Sequence, residues 1–200
     1  MKDSFIITGF FILGLILGIN KFLPKFLMEN TFSTYALYLL LFFVGISMGS
    51  DKKTWFFFFT KSLKLVFIPV SIIIGSLGGA AAVSILLKGI TIKEALAVGA
   101  GFGYYSLSSI IIAELHSEAL GMTALLSNIS REIMTLVLTP FFVKCFGPLS
   151  PVASGGATAM DTTLPVIAKF SGKEIAAAAV FSGFVLTLIT PFAVTFILNF

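Results

Sequence analysis

Charge is scarce in this chain: Asp, Glu, Lys and Arg make up 11% of its 200 residues, against 58% hydrophobic, and mean hydropathy is +1.08. A soluble domain carries about 25% charged residues, so a water-soluble globular protein is excluded. Cysteine occurs once, as Cys145, which rules out an internal disulfide and a cysteine-based metal cluster within one chain. Histidine also occurs once, as His116 in the polar run Glu114-Leu115-His116-Ser117-Glu118. That argues against a zinc site and reads as a solvated loop. The formal charge of +4 is no nucleic-acid signal, because the lysines sit in short gaps between apolar runs, where they act as topology determinants.

What is abundant is apolar length. The charge-free windows Asn30–Ser50, Leu65–Leu87, Ala95–Ala113 and Ile175–Phe200 are each near the roughly 20 residues a helix needs to cross a hydrocarbon core. Barrel strands are instead short and alternating. The first apolar run, Phe5–Asn20, lacks a small-residue cleavage site before Lys21 and is kept as a helix rather than a signal peptide. The expected fold is therefore an all-α polytopic membrane protein in a single transporter domain over residues 1–200. Its seven segments are Phe5–Leu23, Thr31–Gly49, Ser62–Leu87, Glu94–Ala113, Ala119–Lys144, Pro151–Ala168 and Ile175–Phe200. The distribution of lysines between the two sides favours a cytoplasmic N-terminus mildly. Glycines at small-x-x-x-small spacing in the first three segments, such as Gly14 and Gly18, predict close helix packing. Pro69 predicts a kink in the third. The tract Trp55-Phe56-Phe57-Phe58-Phe59 reads as an anchor at the membrane surface.

Three stretches break this apolar pattern. Gly155-Gly156-Ala157-Thr158-Ala159-Met160-Asp161-Thr162-Thr163-Leu164-Pro165 sets a carboxylate, threonines and glycines inside an apolar neighbourhood. Freed backbone at membrane depth is tolerated only where protein or a watery cavity satisfies it, so the stretch predicts a broken or re-entrant helix at a transport site. Gly99-Ala100-Gly101-Phe102-Gly103-Tyr104-Tyr105-Ser106-Leu107-Ser108-Ser109 is weakened by alternating glycines and then rich in hydroxyls. It has no preceding strand, so a dinucleotide-binding fingerprint is excluded. What remains is a helix able to offer carbonyls and Ser106 or Ser108 to a polar solute, or simply a tightly packed one.

The third stretch, Asn128-Ile129-Ser130-Arg131-Glu132, lies inside the apolar run from Ala119 to Val143. A charge at the centre of a spanning helix costs ~2.5–3.5 kcal/mol even on insertion scales, so each charge requires a partner. Helical spacing puts Asn128, Glu132, Thr135 and Thr139 on one stripe, with Arg131 about 100° away. Arg131 therefore needs a different partner, for which Asp161 is the candidate.

Taken together, Gly101-Phe102-Gly103-Tyr104-Tyr105-Ser106-Leu107-Ser108, Ser130-Arg131-Glu132-Ile133 and Gly155 to Pro165, in that order and spacing, resemble the bacterial and archaeal lysine exporter (LysO) family. Leu40-Leu41-Phe42-Phe43-Val44-Gly45-Ile46 agrees. The resemblance implies export of L-lysine across the cell membrane in exchange for protons, with Glu132 as the essential intramembrane glutamate and no cofactor. It also implies a distant likeness to sodium–bile acid symporters and cation–proton antiporters, whose inverted repeats contain broken helices. Longer family members carry about three further N-terminal helices. The expectation is accordingly one subunit of a split exporter completed by a small membrane chain, or a homodimer. Glu132, Asp161, Arg131, Asn128, Ser106, Ser108, Thr158, Thr162 and Thr163 are the candidate substrate and proton sites. Lysine's carboxylate is expected at a half-helix N-terminus near Gly155–Thr158 or on Arg131. The rival readings are a Na⁺/H⁺ antiporter using Glu132 and Asp161, and a structural membrane subunit without transport. An intramembrane aspartyl protease needs paired aspartates, and Asp161 is the only aspartate inside a predicted span.

Overall fold

In a computed structural model the chain separates into two compact units, Met1–Val44 and Gly45–Phe200. The structure describes residues 65–87 and 89–200, with a few isolated residues before them, among which Ile16, Tyr35 and Phe42 are helical. Those isolated residues apart, the first two predicted segments lie outside the described residues, as does the Trp55–Phe59 tract.

Among the described residues every regular element is helical. Helix α1 runs Phe67–Leu86 and is apolar on all sides. Pro69 falls in its first turn, where a missing N–H costs nothing. A turn leads to α2, Ile92–Gly99, which opens on a capping box: Thr91 Oγ1 accepts from Glu94 N at 3.2 Å and Glu94 Oε2 accepts from Thr91 N at 2.7 Å. The chain then breaks at residues 100–104 and resumes as α3, Tyr105–Leu115. The fourth predicted segment is thus two half-helices.

Helix α4, Glu118–Phe146, is the longest element at 29 residues, about 44 Å at 1.5 Å per residue. Its buried stripe is Leu120, Gly121, Ala124, Asn128, Thr135 and Thr139, while Leu126, Ile133, Val137 and Phe141 are exposed. Polar side chains turned inward and large apolar ones outward suit a lipid surround rather than water. Helix α5, Ser150–Gly155, a 3₁₀ turn, Gly156–Met160, and α6, Leu164–Ser171, make up the sixth predicted segment, broken as expected. Helix α7, Lys173–Asn199, closes the fold and packs against the 3₁₀ turn, α6 and α3. Gly183 admits this contact: a Cβ there would lie 2.6 Å from the Met160 side chain and 2.8 Å from the Ala157 carbonyl. By length and composition α1 and α7 are able to cross a membrane.

Candidate functional site

The two helix breaks meet. The carbonyl of Phe102 accepts from the N–H of Ala157 at 2.8 Å, so one interrupted helix satisfies the freed backbone of the other. Glycine makes the approach feasible. A Cβ on Gly156, which has φ +63°, would collide with the Phe102 carbonyl oxygen, and one on Gly103, φ +98°, would lie 2.7 Å from the Gly155 oxygen. Phe102 itself has φ +47°, an uncommon conformation for a side-chain-bearing residue, and its fully buried ring holds it there.

Side chains of α4 brace both breaks. Buried Asn128 accepts from Gly103 N at 2.8 Å and donates to its own helix at Ala124 O, 2.9 Å. Arg131 does not reach Asp161. Its Nε donates to Ser154 O at 2.6 Å, its two terminal nitrogens to Ala153 O at 2.9 Å and to Ser76 Oγ at 3.0 Å. The physical reason is that α5 ends at Gly155, leaving its last carbonyls without helical donors. A guanidinium offers several donors and a positive charge to that negative helix end. The last carbonyls of α5 are thus capped by a cation, while the Gly155–Thr158 stretch, where a half-helix N-terminus was expected, begins the 3₁₀ turn, with the Ala157 N–H already spent on Phe102. Thr135 joins the same brace through Ser154 Oγ at 2.7 Å.

Below the crossing lies a cavity of 150 Å³ lined by Gly103, Tyr104, Tyr105, Ser106, Ala157, Thr158, Met160, Asp161, Thr162 and Thr187. Four of the sequence candidates therefore share one space: Ser106, Thr158, Asp161 and Thr162. Asp161 is exposed to it, and its Oδ1 accepts from Thr162 N at 2.5 Å and from Thr162 Oγ1 at 3.3 Å. Glu132 is half-buried on α4 and is not among the residues that line this cavity. Ser108 and Thr163 are buried and spend their hydroxyls on backbone, Ser108 on Tyr104 O at 2.9 Å and Thr163 on Thr158 O at 3.0 Å. His116 stands in the α3–α4 turn, 2.8 Å from Glu94. Among the described residues no cluster of metal-ligating side chains occurs.

The model of the lysine exporter LysO family matches residues 8–198. The chain belongs to that family. It is 31% identical over 199 residues to the lysine exporter LysO of Escherichia coli (strain K12), covering 97% of this chain and 64% of that protein. It is also 31% identical over 171 residues to the putative lysine exporter of Haemophilus influenzae (strain ATCC 51907 / DSM 11121 / KW20 / Rd), covering 86% of each. The chain spans somewhat less than two thirds of the Escherichia coli relative's length. No solved structure matches it. Membership in an exporter family makes it a membrane protein, and the family is one of transporters rather than enzymes.

The sequence pointed to Ser106, Thr158, Asp161 and Thr162 of the cavity lining but missed others. Tyr104 and Tyr105 passed as ordinary aromatics of a loosened helix. Thr187 lies in a helix whose sequence suggested no chemistry, although Pro191 four residues later was a signal, since it cannot donate to the Thr187 carbonyl. A second cavity, 540 Å³, lies between α1, α2 and α4 and is lined by the small face of α1 at Gly75, Ser76 and Gly79, with Arg131 at one end.

Proposed function

We propose that this chain forms the core of an L-lysine exporter of the bacterial or archaeal cell membrane that exchanges lysine for protons. The observation that carries the reading is the cavity at the crossing of the two helix breaks, which gathers Asp161 with Ser106, Thr158 and Thr162. Lysine carries one net positive charge and needs an anionic partner at membrane depth; the names of both relatives supply the substrate class. Asp161 takes one ammonium in the cavity. Glu132 holds either a proton or the second ammonium, and that competition couples the two fluxes. When Glu132 is protonated lysine leaves; when it is ionised lysine is held. Each carboxylate acts differentially on the two loaded states, which is what coupling requires.

A Na⁺/H⁺ exchange reading has less support. Half-helix C-terminal carbonyls are where a sodium ion would be expected, but those of Ala153 and Ser154 already accept from Arg131. Transport in concert with a small membrane chain or a second copy belongs to the same proposal, and reconstitution of the chain alone tests it. The direct test of the site is Glu132→Gln in proteoliposomes. Export driven by a pH gradient should disappear while the protein stays inserted; undiminished pH-driven export by that variant would remove Glu132 from the mechanism.

A further inference from the structure

Thr187 is 2% exposed, and among the described residues its hydroxyl has no hydrogen-bond partner. Its neighbours on spanning helices do otherwise. Thr123, Thr135, Thr139 and Thr190 each donate to the carbonyl four residues back, at distances of 2.9, 2.9, 2.5 and 2.7 Å, the usual resting place of a helical threonine hydroxyl. Thr187 has the Gly183 carbonyl in the same relation and does not use it. Instead it lines the 150 Å³ cavity that holds Asp161. Pro191 also deprives the Thr187 carbonyl of its helical donor. A single residue of α7 therefore presents a buried, uncommitted hydroxyl to the cavity at a turn already loosened. Buried polar groups are nearly always paired, and in this case the partner is one that comes and goes.

Of the other cavity hydroxyls, those of Ser106, Tyr104 and Tyr105 belong to less buried residues, and the remaining two are already committed, which narrows what that partner is. The buried Thr158 gives its proton to Gly155 O at 3.0 Å. Thr162 gives its own to Asp161. Neither has a proton left to donate. Asp161 is a pure acceptor and takes an ammonium, so the end of an amino acid still unserved is the carboxylate, which accepts hydrogen bonds only. We infer that Thr187 is a substrate-contacting, specificity-determining residue whose hydroxyl donates to the α-carboxylate of the transported amino acid. The inference rests on the lysine reading given above. It adds a rule: this cavity distinguishes an amino acid from the diamine that lacks the carboxylate.

The experiment follows thermal unfolding of the purified full chain in detergent while L-lysine or cadaverine, which is lysine without its carboxylate, is titrated in. Wild type should respond to lysine at lower concentration than to cadaverine. Thr187→Val, equal in shape but without the hydroxyl, should need about tenfold more lysine and an unchanged amount of cadaverine, the loss expected for one hydrogen bond to a charged group. Thr187→Ser should keep the wild-type preference. Without any ligand Thr187→Val should unfold no lower than wild type, since it removes an unpaired polar atom. Retention of the lysine preference by Thr187→Val, an equal weakening of both ligands, or a lower unfolding temperature without ligand would each overturn the assignment. A wild-type protein indifferent to both compounds would overturn the lysine reading itself, a result distinct from the others.

Discussion

Arg131 shows how much a single residue decides in this molecule. Its guanidinium closes the open end of α5 and ties it to Ser76 of α1. Arg131→Met should leave two backbone carbonyls without donors, at a cost on the order of 1–3 kcal/mol for each buried acceptor, and lower the unfolding temperature measured in detergent. Arg131→Lys should recover only part of the loss, because an ammonium lacks the planar fork that serves several acceptors. An unfolding temperature for Arg131→Met equal to wild type would show that the brace contributes nothing. The sequence made it plain that Arg131 required a partner, since a charge in that apolar run is costly. It did not reveal the partner, because backbone carbonyls are exposed by where a helix happens to end, and residue identity does not record that. Asp161, its expected mate, was legible as a polar anomaly and stands in the cavity with Thr162. Thr187 was not legible, since a lone threonine in an apolar helix is ordinary until its hydroxyl is seen to be unpaired.

At the scale of elements, the crossing of two interrupted helices positions everything else. Gly156→Ala would push a Cβ into the Phe102 carbonyl at a backbone angle unsuited to alanine. Gly172, with φ +92° but open space around it, provides the comparison. Gly172→Ala should cost on the order of 1–3 kcal/mol, the penalty of a side-chain-bearing residue in a backbone region that favours glycine. Gly156→Ala should cost clearly more and abolish transport; equal unfolding temperatures for the two variants would argue against the crossing. A second element-level prediction concerns the entrance to α2. Hydrogen bonds from the Thr91 side chain and backbone, with a further one from His116, hold the Glu94 carboxyl at about 2, below its ordinary 4.5. A carboxylate depressed in the folded state adds stability above its unfolded value that is lost as pH falls toward the folded one. Hydrogen-exchange protection of the α2 entrance should therefore fade from pH 4.5 toward pH 2, and Glu94→Gln should remove that dependence. The breaks themselves were readable from glycine and hydroxyl clustering. Their mutual contact was not, because it joins residues about fifty positions apart that carry no complementary signature.

For the whole molecule, composition settled the class: so few charges over so many apolar residues leave only a lipid setting, and the outward apolar face of α4 agrees. The order of three uncommon motifs indicated the family, which the match over residues 8–198 shows. Four of the seven predicted segments fall wholly on described residues, and the helices there begin and end within a few positions of the predicted bounds, because segment length is fixed by apolar run length alone. Substrate and coupling ion are matters for transport assays, and the central claim is that lysine moves against protons through the Asp161 cavity. The most direct measurement is uptake of radiolabelled lysine into proteoliposomes containing the purified chain, with a pH gradient imposed and sodium absent. Labelled lysine should accumulate in response to the pH gradient and be displaced by unlabelled lysine, and vesicles carrying Glu132→Gln should show no such accumulation. Proteoliposomes that move no lysine under that gradient, while a sodium gradient imposed on a parallel preparation dissipates together with proton flux, would contradict the claim.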